Sequence, residues 1–509
     1  MSLKFKSPCF GIPQSILQET GTLDFLHKIS PDFPIINGLS LTPLSIPEQK
    51  AHWQKIKSLL SQTSTKDLAQ AWLLIQSIPL PEVAISGLES SQAGLTELTL
   101  LARFFSSCQK LREIPSLKLD LTLLTELQNS IKPFLNDTAS GYAKKQETEG
   151  YIKELCQLED EKNTLIQNWE NEIRQKTGLK LTWPLPREFP STISPPLDSN
   201  TADSLNLIQA PAISSGYVLY FSQPQALKEI ENRHGALMLK IQNQTVELEK
   251  IALDTLFPLI PKIRHFYRSI QEIAWKIHLA YLSRELKLCI PEISLNLQIK
   301  QGRLTRLYDK DSAYQPLNFC GQNSVSLIFG SNMSGKTTVL KTILHLCLLA
   351  LHGIPVPCQE FHLPPITSVK LHLKDSGNVE LNQSSFASEM QFFANSDLDS
   401  LVLADELFQS TEPVCGSNIA TLVIEDFRDR KLNLVTTTHY SEPIGISGIN
   451  HFYMDSHFNA LPLYEENLSC LLENHRQTTL KLALDILPKN SSLSQKLQGL
   501  LQKSQNTKN

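Results

Sequence analysis

Residues 325–338 read Val-Ser-Leu-Ile-Phe-Gly-Ser-Asn-Met-Ser-Gly-Lys-Thr-Thr: an apolar strand-forming run, a glycine-bracketed turn and a helix start. The turn fits G-x-x-x-x-G-K-[ST], with Gly330, Gly335, Lys336 and Thr337 in the required places. Two glycines let backbone N–H groups wrap a phosphate with no Cβ in the way. The helix that follows aims its positive end at the same point. A lysine there reaches the β- and γ-phosphates, and the Thr337 hydroxyl can ligate Mg²⁺. Both flanks fit, because Val339, Leu340, Ile343 and Leu344 continue at helical spacing. A chain that contains this stretch is expected to build an α/β nucleotide-binding sheet around it.

Two later runs supply what such a sheet needs. Residues 400–406, Ser-Leu-Val-Leu-Ala-Asp-Glu, form an apolar strand ending in two carboxylates. Asp405 is the candidate Mg²⁺ ligand, and Glu406 the candidate to polarise an attacking water. Residues 432–439, Leu-Asn-Leu-Val-Thr-Thr-Thr-His, form another strand, ending in a histidine able to meet a γ-phosphate. Polar groups at several strand ends make a site where parallel strands terminate.

In order and spacing these motifs resemble the MutS ATPases. Residues 330–338 resemble the family's Gly-Pro-Asn-Met-Gly-Gly-Lys-Ser-Thr, with Ser331 and Ser334 replacing Pro and Gly. Residues 353–358 (Gly-Ile-Pro-Val-Pro-Cys) resemble Gly-x-x-Val-Pro-Ala, and residues 384–390 (Ser-Ser-Phe-Ala-Ser-Glu-Met) resemble Ser-Thr-Phe-Met-x-Glu-Met. Asp405, Glu406, Thr411 and Gly416 match the acidic strand end and the loop after it, and residues 437–440 resemble Ala-Thr-His-Tyr. The strong resemblance runs over residues 325–440.

The resemblance implies ATP and Mg²⁺ as cofactors. Nucleotide contacts fall on Gly330, Ser331, Asn332, Met333, Ser334, Gly335, Lys336, Thr337, Thr338 and Ser384. Thr337 and Asp405 hold the metal, and Lys336, Glu406 and His439 serve catalysis. Ser384 matches a residue that reaches the γ-phosphate of the opposite subunit, which implies a homodimer with composite sites. Residues 408–416 lack the Arg, the Ser-Thr pair and the Asp of the family's Gly-Arg-Gly-Thr-Ser-Thr-x-Asp-Gly. Phosphate binding is expected to survive this, and communication across the dimer to differ. Tyr314 and Tyr308 are alternative candidates for stacking on adenine.

The expected fold class is α+β and multidomain. A mainly helical core and lever region occupies 1–300, an ABC-type P-loop ATPase domain 301–475, and a helical dimerisation piece with a polar tail 476–509. Apolar spacing predicts helices over 46–60, 95–105 and 117–131. A long polar helix, in a clamp-like coil over 134–178, suits an antiparallel pair or a lever. The prolines of 184–215 exclude a helix and read as an exposed connector, followed by a strand at 217–221. An amphipathic stripe from Leu248 to Tyr281 predicts a long helix kinked at Pro258 and Pro261. Residues 450–454 and 461–464 read as two strands.

The chain has 509 residues, room for more than one domain, and a net charge of −4 that demands no polyanion partner. Nine cysteines without a C-x-x-C pair argue for reduced thiols and a cytoplasmic setting, and no apolar run is long enough for a membrane span. Residues 134–175 carry five basic against nine acidic side chains, a poor phosphate clamp by charge. No Phe-x-Glu occurs in the first 120 residues, so mismatch reading by an aromatic wedge is not expected. Nor is the family's Smr nuclease-like extension expected within the 70 residues that follow His439. Three readings follow: a MutS-like ATPase dimer whose grip on DNA is set by ATP, in DNA repair or recombination control; a MutS-like ATPase that remodels or protects a protein partner; and a nucleotide-holding scaffold. Intact Lys336, Asp405, Glu406 and His439 speak against the third.

Overall fold

The structure is a computed structural model that describes residues 4–5, 12–30, 35, 40–117, 119, 121–134, 146–177, 187–189, 197–205, 207–212, 216–221, 225–304, 315–330, 334–373, 385–409, 411–454 and 460–463. It is α+β and divides into two units. One comprises residues 1–78, 110–119 and 269–509, the other 79–109 and 120–268.

The first unit is built on a six-stranded sheet. Its spatial order is Ser368–His372, Ser400–Ala404, Asn433–Thr438, Val325–Gly330, Asn450–Met454 and Ala460–Leu463. All neighbours pair in parallel except the last two strands, which pair antiparallel. Every residue of Val325–Gly330 and of Ser400–Ala404 is buried, as expected of strands covered on both faces. The register sets Thr438 beside Phe329, Thr436 beside Ala404 and Gly330 beside Met454, so these carboxyl ends share one edge.

Helix Lys336–Leu351 leaves the Val325–Gly330 strand through the glycine turn and is buried over most of its length. Apolar residues all round, including Leu340, Ile343, Leu346 and Leu349, suit it to a covered position. Helices Gln14–Glu19 and Thr22–Ile29 lie against it. Thr22 Oγ1 and His345 Nδ1 are 2.8 Å apart, and Phe25 meets the His345 ring edge-on at 5.8 Å. Helix Ile46–Gln62 begins with the capping box Ser45–Glu48 and joins the same unit through Gln49 Nε2, which donates to Ile366 O at 3.1 Å. A second sheet orders Glu292–Ile293, Glu360–Leu363, Gln298–Gly302 and Leu317–Cys320.

In the second unit, helices Gln146–Thr177 and Gln225–Leu256 form an antiparallel pair. Lys162 meets Glu231 at 2.9 Å, Arg233 meets Glu154 at 3.4 Å, and the Lys240 ammonium lies 5.4 Å from the Tyr151 ring centre. Leu158, Ile230 and Leu237 fill the seam. The antiparallel reading of this segment therefore holds for 146–177; residues 135–145 lie outside the described residues.

Other expectations need correction. The exposed connector expected over 184–215 holds regular structure among its described residues, and the strand expected at 217–221 is present. Strands Arg187–Phe189, Tyr217–Phe221 and Leu207–Pro211 form an antiparallel sheet, with helix Ser199–Ser204 between them in sequence. The prolines exclude a long helix, but Leu205, Leu207 and Leu219 still bury against Trp169 and Ile173. The 117–131 segment is not one helix: a 3₁₀ turn at Pro115–Leu117 precedes helix Thr122–Ile131. The 95–105 helix continues to Arg112. The proline stripe behaves as expected, with helix Gln225–Leu256, a 3₁₀ turn at Phe257–Leu259 and helix Ile260–Glu285.

Candidate functional site

The site forms where the Val325–Gly330, Ser400–Ala404 and Asn433–Thr438 strands end. Gly330 has φ +154°, and a Cβ there would stand 2.9 Å from Met454 Cβ and 3.0 Å from Met454 O. Gly335 has φ +91° and caps the Lys336–Leu351 helix without a side-chain hydrogen bond. The first N–H groups of that helix are thus left for an incoming acceptor. Ser334 Oγ is buried with no hydrogen-bond partner among the described residues, a further polar group suited to an incoming ligand.

Lys336 is buried, and its Nζ donates to Gly330 O at 3.0 Å. Burial holds its ammonium below the usual lysine range, while Glu406 and Asp405 oppose the shift. Thr337 Oγ1 donates to Asp405 Oδ2 at 2.7 Å. Thr437 Oγ1 donates to the other oxygen, Asp405 Oδ1, at 2.6 Å, and accepts from Glu406 N–H at 2.9 Å. His439 Nε2–H donates to Glu406 Oε1. One carboxylate is therefore held by two hydroxyls, and the next is held by an imidazole and oriented through its own backbone.

The peptide after Asp405 takes a sparsely populated path. Glu406 has φ +55° and Phe408 φ +53°, left-handed conformations that are costly for residues with a Cβ. Three contacts hold them. Besides the Thr437 bond, Phe408 N donates to Glu389 Oε1 at 2.8 Å, and Tyr440 Oη donates to Phe408 O at 3.1 Å. The Phe408 ring is buried against Phe386 and Phe393. Gly416 must stay small, because a Cβ there would lie 2.6 Å from Tyr440 Oη and 2.7 Å from Phe408 O.

Of the residues singled out from sequence, Gly330, Ser334, Gly335, Lys336, Thr337, Thr338, Asp405, Glu406 and His439 come together at this edge. Ser331, Asn332, Met333 and Ser384 lie outside the described residues, as do Tyr308 and Tyr314. Sequence reasoning gave no role to Thr437, Glu389 or Tyr440. The signals are the middle one of three consecutive threonines at a strand end, and the Glu and Tyr of motifs whose other members carry roles.

The donor set fits a nucleotide with Mg²⁺. A hydroxyl and a carboxylate, Thr337 and Asp405, are hard oxygen ligands side by side. Lys336 and the uncapped helix start would take the phosphates. Among the described residues, no helix is long and apolar enough to cross a membrane.

Comparison with known proteins bears on the same segment. The family described as MutS domain V matches residues 326–477. The Endonuclease MutS2 of Enterococcus faecalis is 26% identical over 460 residues, 85% of this chain and 56% of that protein. Those of Clostridium kluyveri and Halalkalibacterium halodurans are 31% and 30% identical over 245 and 239 residues, in each case 45% of this chain and 30% of the relative. The chain thus aligns with about half, or less, of the length of these curated relatives.

Proposed function

We propose that the chain is a MutS-like, cytoplasmic, Mg²⁺-dependent ATPase that works as a homodimer on DNA, in repair or recombination. The observation that carries the reading is the convergence of Lys336, Thr337, Asp405, Glu406 and His439 at one sheet edge, with the Thr337 hydroxyl 2.7 Å from Asp405. Lys336 and the start of its helix bind the phosphates, and Thr337 and Asp405 bind Mg²⁺. Glu406, oriented by His439 and by Thr437, aligns the attacking water. Ser384 completes the site of the opposite subunit. Residues 301–475 act as the ATPase domain, 1–300 as core and lever, and 476–509 as the dimerisation piece.

The test is ATP turnover. Glu406→Ala should keep ATP binding and lose turnover by about 10² or more, as removal of a catalytic base does. Mixing Lys336→Ala with Ser384→Ala chains should restore activity by assembling one intact composite site per heterodimer. Unchanged turnover in Glu406→Ala removes that residue from the mechanism; no recovery on mixing removes the shared site.

A specific observation favours a second reading, in which the ATPase acts on a protein partner. Helix Gln146–Thr177 carries eight acidic and four basic residues, and helix Gln225–Leu256 five and four. A net acidic helix pair repels phosphate along its length.

A further inference from the structure

Cys289 and Cys358 lie far apart in sequence, and both belong to the unit built on the six-stranded sheet. Cys289 pairs with Val356 in an antiparallel bridge. Cys289 N donates to Val356 O at 2.8 Å, and Val356 N donates to Cys289 O at 2.9 Å. The chain then turns sharply at Pro357, because Cys358 N donates to Val356 O at 2.9 Å. This three-residue turn folds Cys358 back beside the bridge partner of Val356, which is Cys289. Arg303 N donates to Pro357 O at 2.9 Å and Gln359 N to Lys300 O at 2.8 Å, which fixes the turn on the neighbouring strand.

The Cys358 thiol, a backbone contact with Phe361 and the Lys57 ammonium hold the Cys289 thiol below its ordinary value, against burial, and Cys289 Sγ donates to Ile290 O at 3.5 Å. The Cys289 thiol and burial push Cys358 the other way. Cys289 is half-buried and Cys358 buried. The bridge and the turn thus set a half-buried and a buried cysteine side by side, the arrangement of an attacking and a resolving thiol. Cys358 also stands where the Gly-x-x-Val-Pro-Ala pattern ends in alanine, so the fold around it does not require sulfur.

We propose that Cys289 and Cys358 form a reversible dithiol–disulfide site, open to peroxide as the oxidant. The Cys289 thiolate attacks one peroxide oxygen, giving Cys289 sulfenic acid and, after protonation, water. The Cys358 sulfur then attacks the sulfenic sulfur and displaces hydroxide, which takes the Cys358 proton and leaves as a second water. Two thiols are oxidised by two electrons, and one peroxide is reduced. The disulfide closes a loop from 289 to 358 that contains the whole 330–337 turn. Oxidation thereby fastens the segment that follows the Lys336–Leu351 helix to the chain ahead of the second sheet. The site does not depend on ATP being the ligand of that turn.

The test uses the full chain, reduced, freed of reductant and exposed to hydrogen peroxide. Peptide mapping without reduction should find Cys289 joined to Cys358, with the mass lower by two hydrogens. The link should form several-fold faster than the exposed Cys156, Cys320 and Cys415 are oxidised, and dithiothreitol should reverse it. The same treatment should raise the thermal midpoint of the wild type and leave that of Cys358→Ala unchanged. In Cys358→Ala, dimedone should trap a sulfenic acid on Cys289; Cys289→Ser should yield neither product. Oxidation of the exposed cysteines while Cys289 and Cys358 remain free thiols overturns the proposal. So does a dimedone adduct on Cys289 in the wild type equal to that in Cys358→Ala.

Discussion

The Thr437 hydroxyl lies between two carboxylate residues and serves both, donating to Asp405 Oδ1 and accepting from Glu406 N–H. It is buried, so neither bond has water to fall back on. Valine copies its shape and removes the hydroxyl. Thr437→Val should therefore leave a part-buried N–H unpaired and cost about 1–3 kcal/mol of stability. It should also free Glu406 from its left-handed conformation and lower ATP turnover about tenfold or more, as a misplaced catalytic group does. Thr437→Ser should stay near wild type in both. Denaturant unfolding and turnover titrated with Mg²⁺ check this; equal turnover in the valine and serine variants would sink it. At this scale the sequence was partly legible. The spacing from Gly330 to Thr337 and the Asp405-Glu406 pair announce their chemistry through residue type. Thr437 does not, because its value comes from a register, Thr436 beside Ala404, that exists only once two distant strands have paired.

Elements were legible where local rules act alone. Pro258 and Pro261 interrupt the long helix because each lacks an N–H and crowds the preceding turn. Ser45 and Glu48 close the capping box of Ile46–Gln62 within one turn of chain. Of the small sheet only the strand at 217–221 was legible; Arg187–Phe189 and Leu207–Pro211 were not, because they are short, lie among prolines and gain their stability from a distant helix. Trp169 supplies most of that support. It is buried with Ile173, Leu205, Leu207 and Leu219, and its Nε1–H donates to Leu205 O at 2.7 Å. Trp169→Ala should cost about 3–5 kcal/mol in this cluster, the usual loss for a large buried aromatic. Amide exchange should then accelerate across Tyr217–Phe221 while the Val325–Gly330 strand keeps its protection, since the two belong to different units. Unchanged protection at Tyr217–Phe221 would mean that the sheet stands without the tryptophan.

At the scale of the molecule, the motif order from Gly330 to Tyr440 carried the resemblance to MutS proteins because those residues are fixed by chemistry rather than by packing. The recruitment of residues 12–30 and 40–78 to the unit built on the six-stranded sheet left no such mark. Thr22, Phe25 and Gln49 read as ordinary helix residues, and only their partners His345 and Ile366 reveal them. The partner of the whole molecule is the matter on which charge and ancestry pull apart. The similarity to MutS proteins favours DNA, whereas net charge −4 and two acidic helices in one pair disfavour phosphate along that surface. Salt dependence separates them, because each neutralised phosphate steepens the fall of log K with log salt by about 0.9 on duplex DNA. If DNA is the partner, fluorescence anisotropy of duplex and branched DNA should show binding that weakens steeply between about 50 and 200 mM salt and that shifts when ATP is added. The net acidic helix pair then predicts that its few basic side chains contribute little, so Lys162→Ala should leave the salt slope unchanged. Absence of binding to any DNA at the lower salt, with ATP turnover intact, would assign the nucleotide-driven motion to a protein partner.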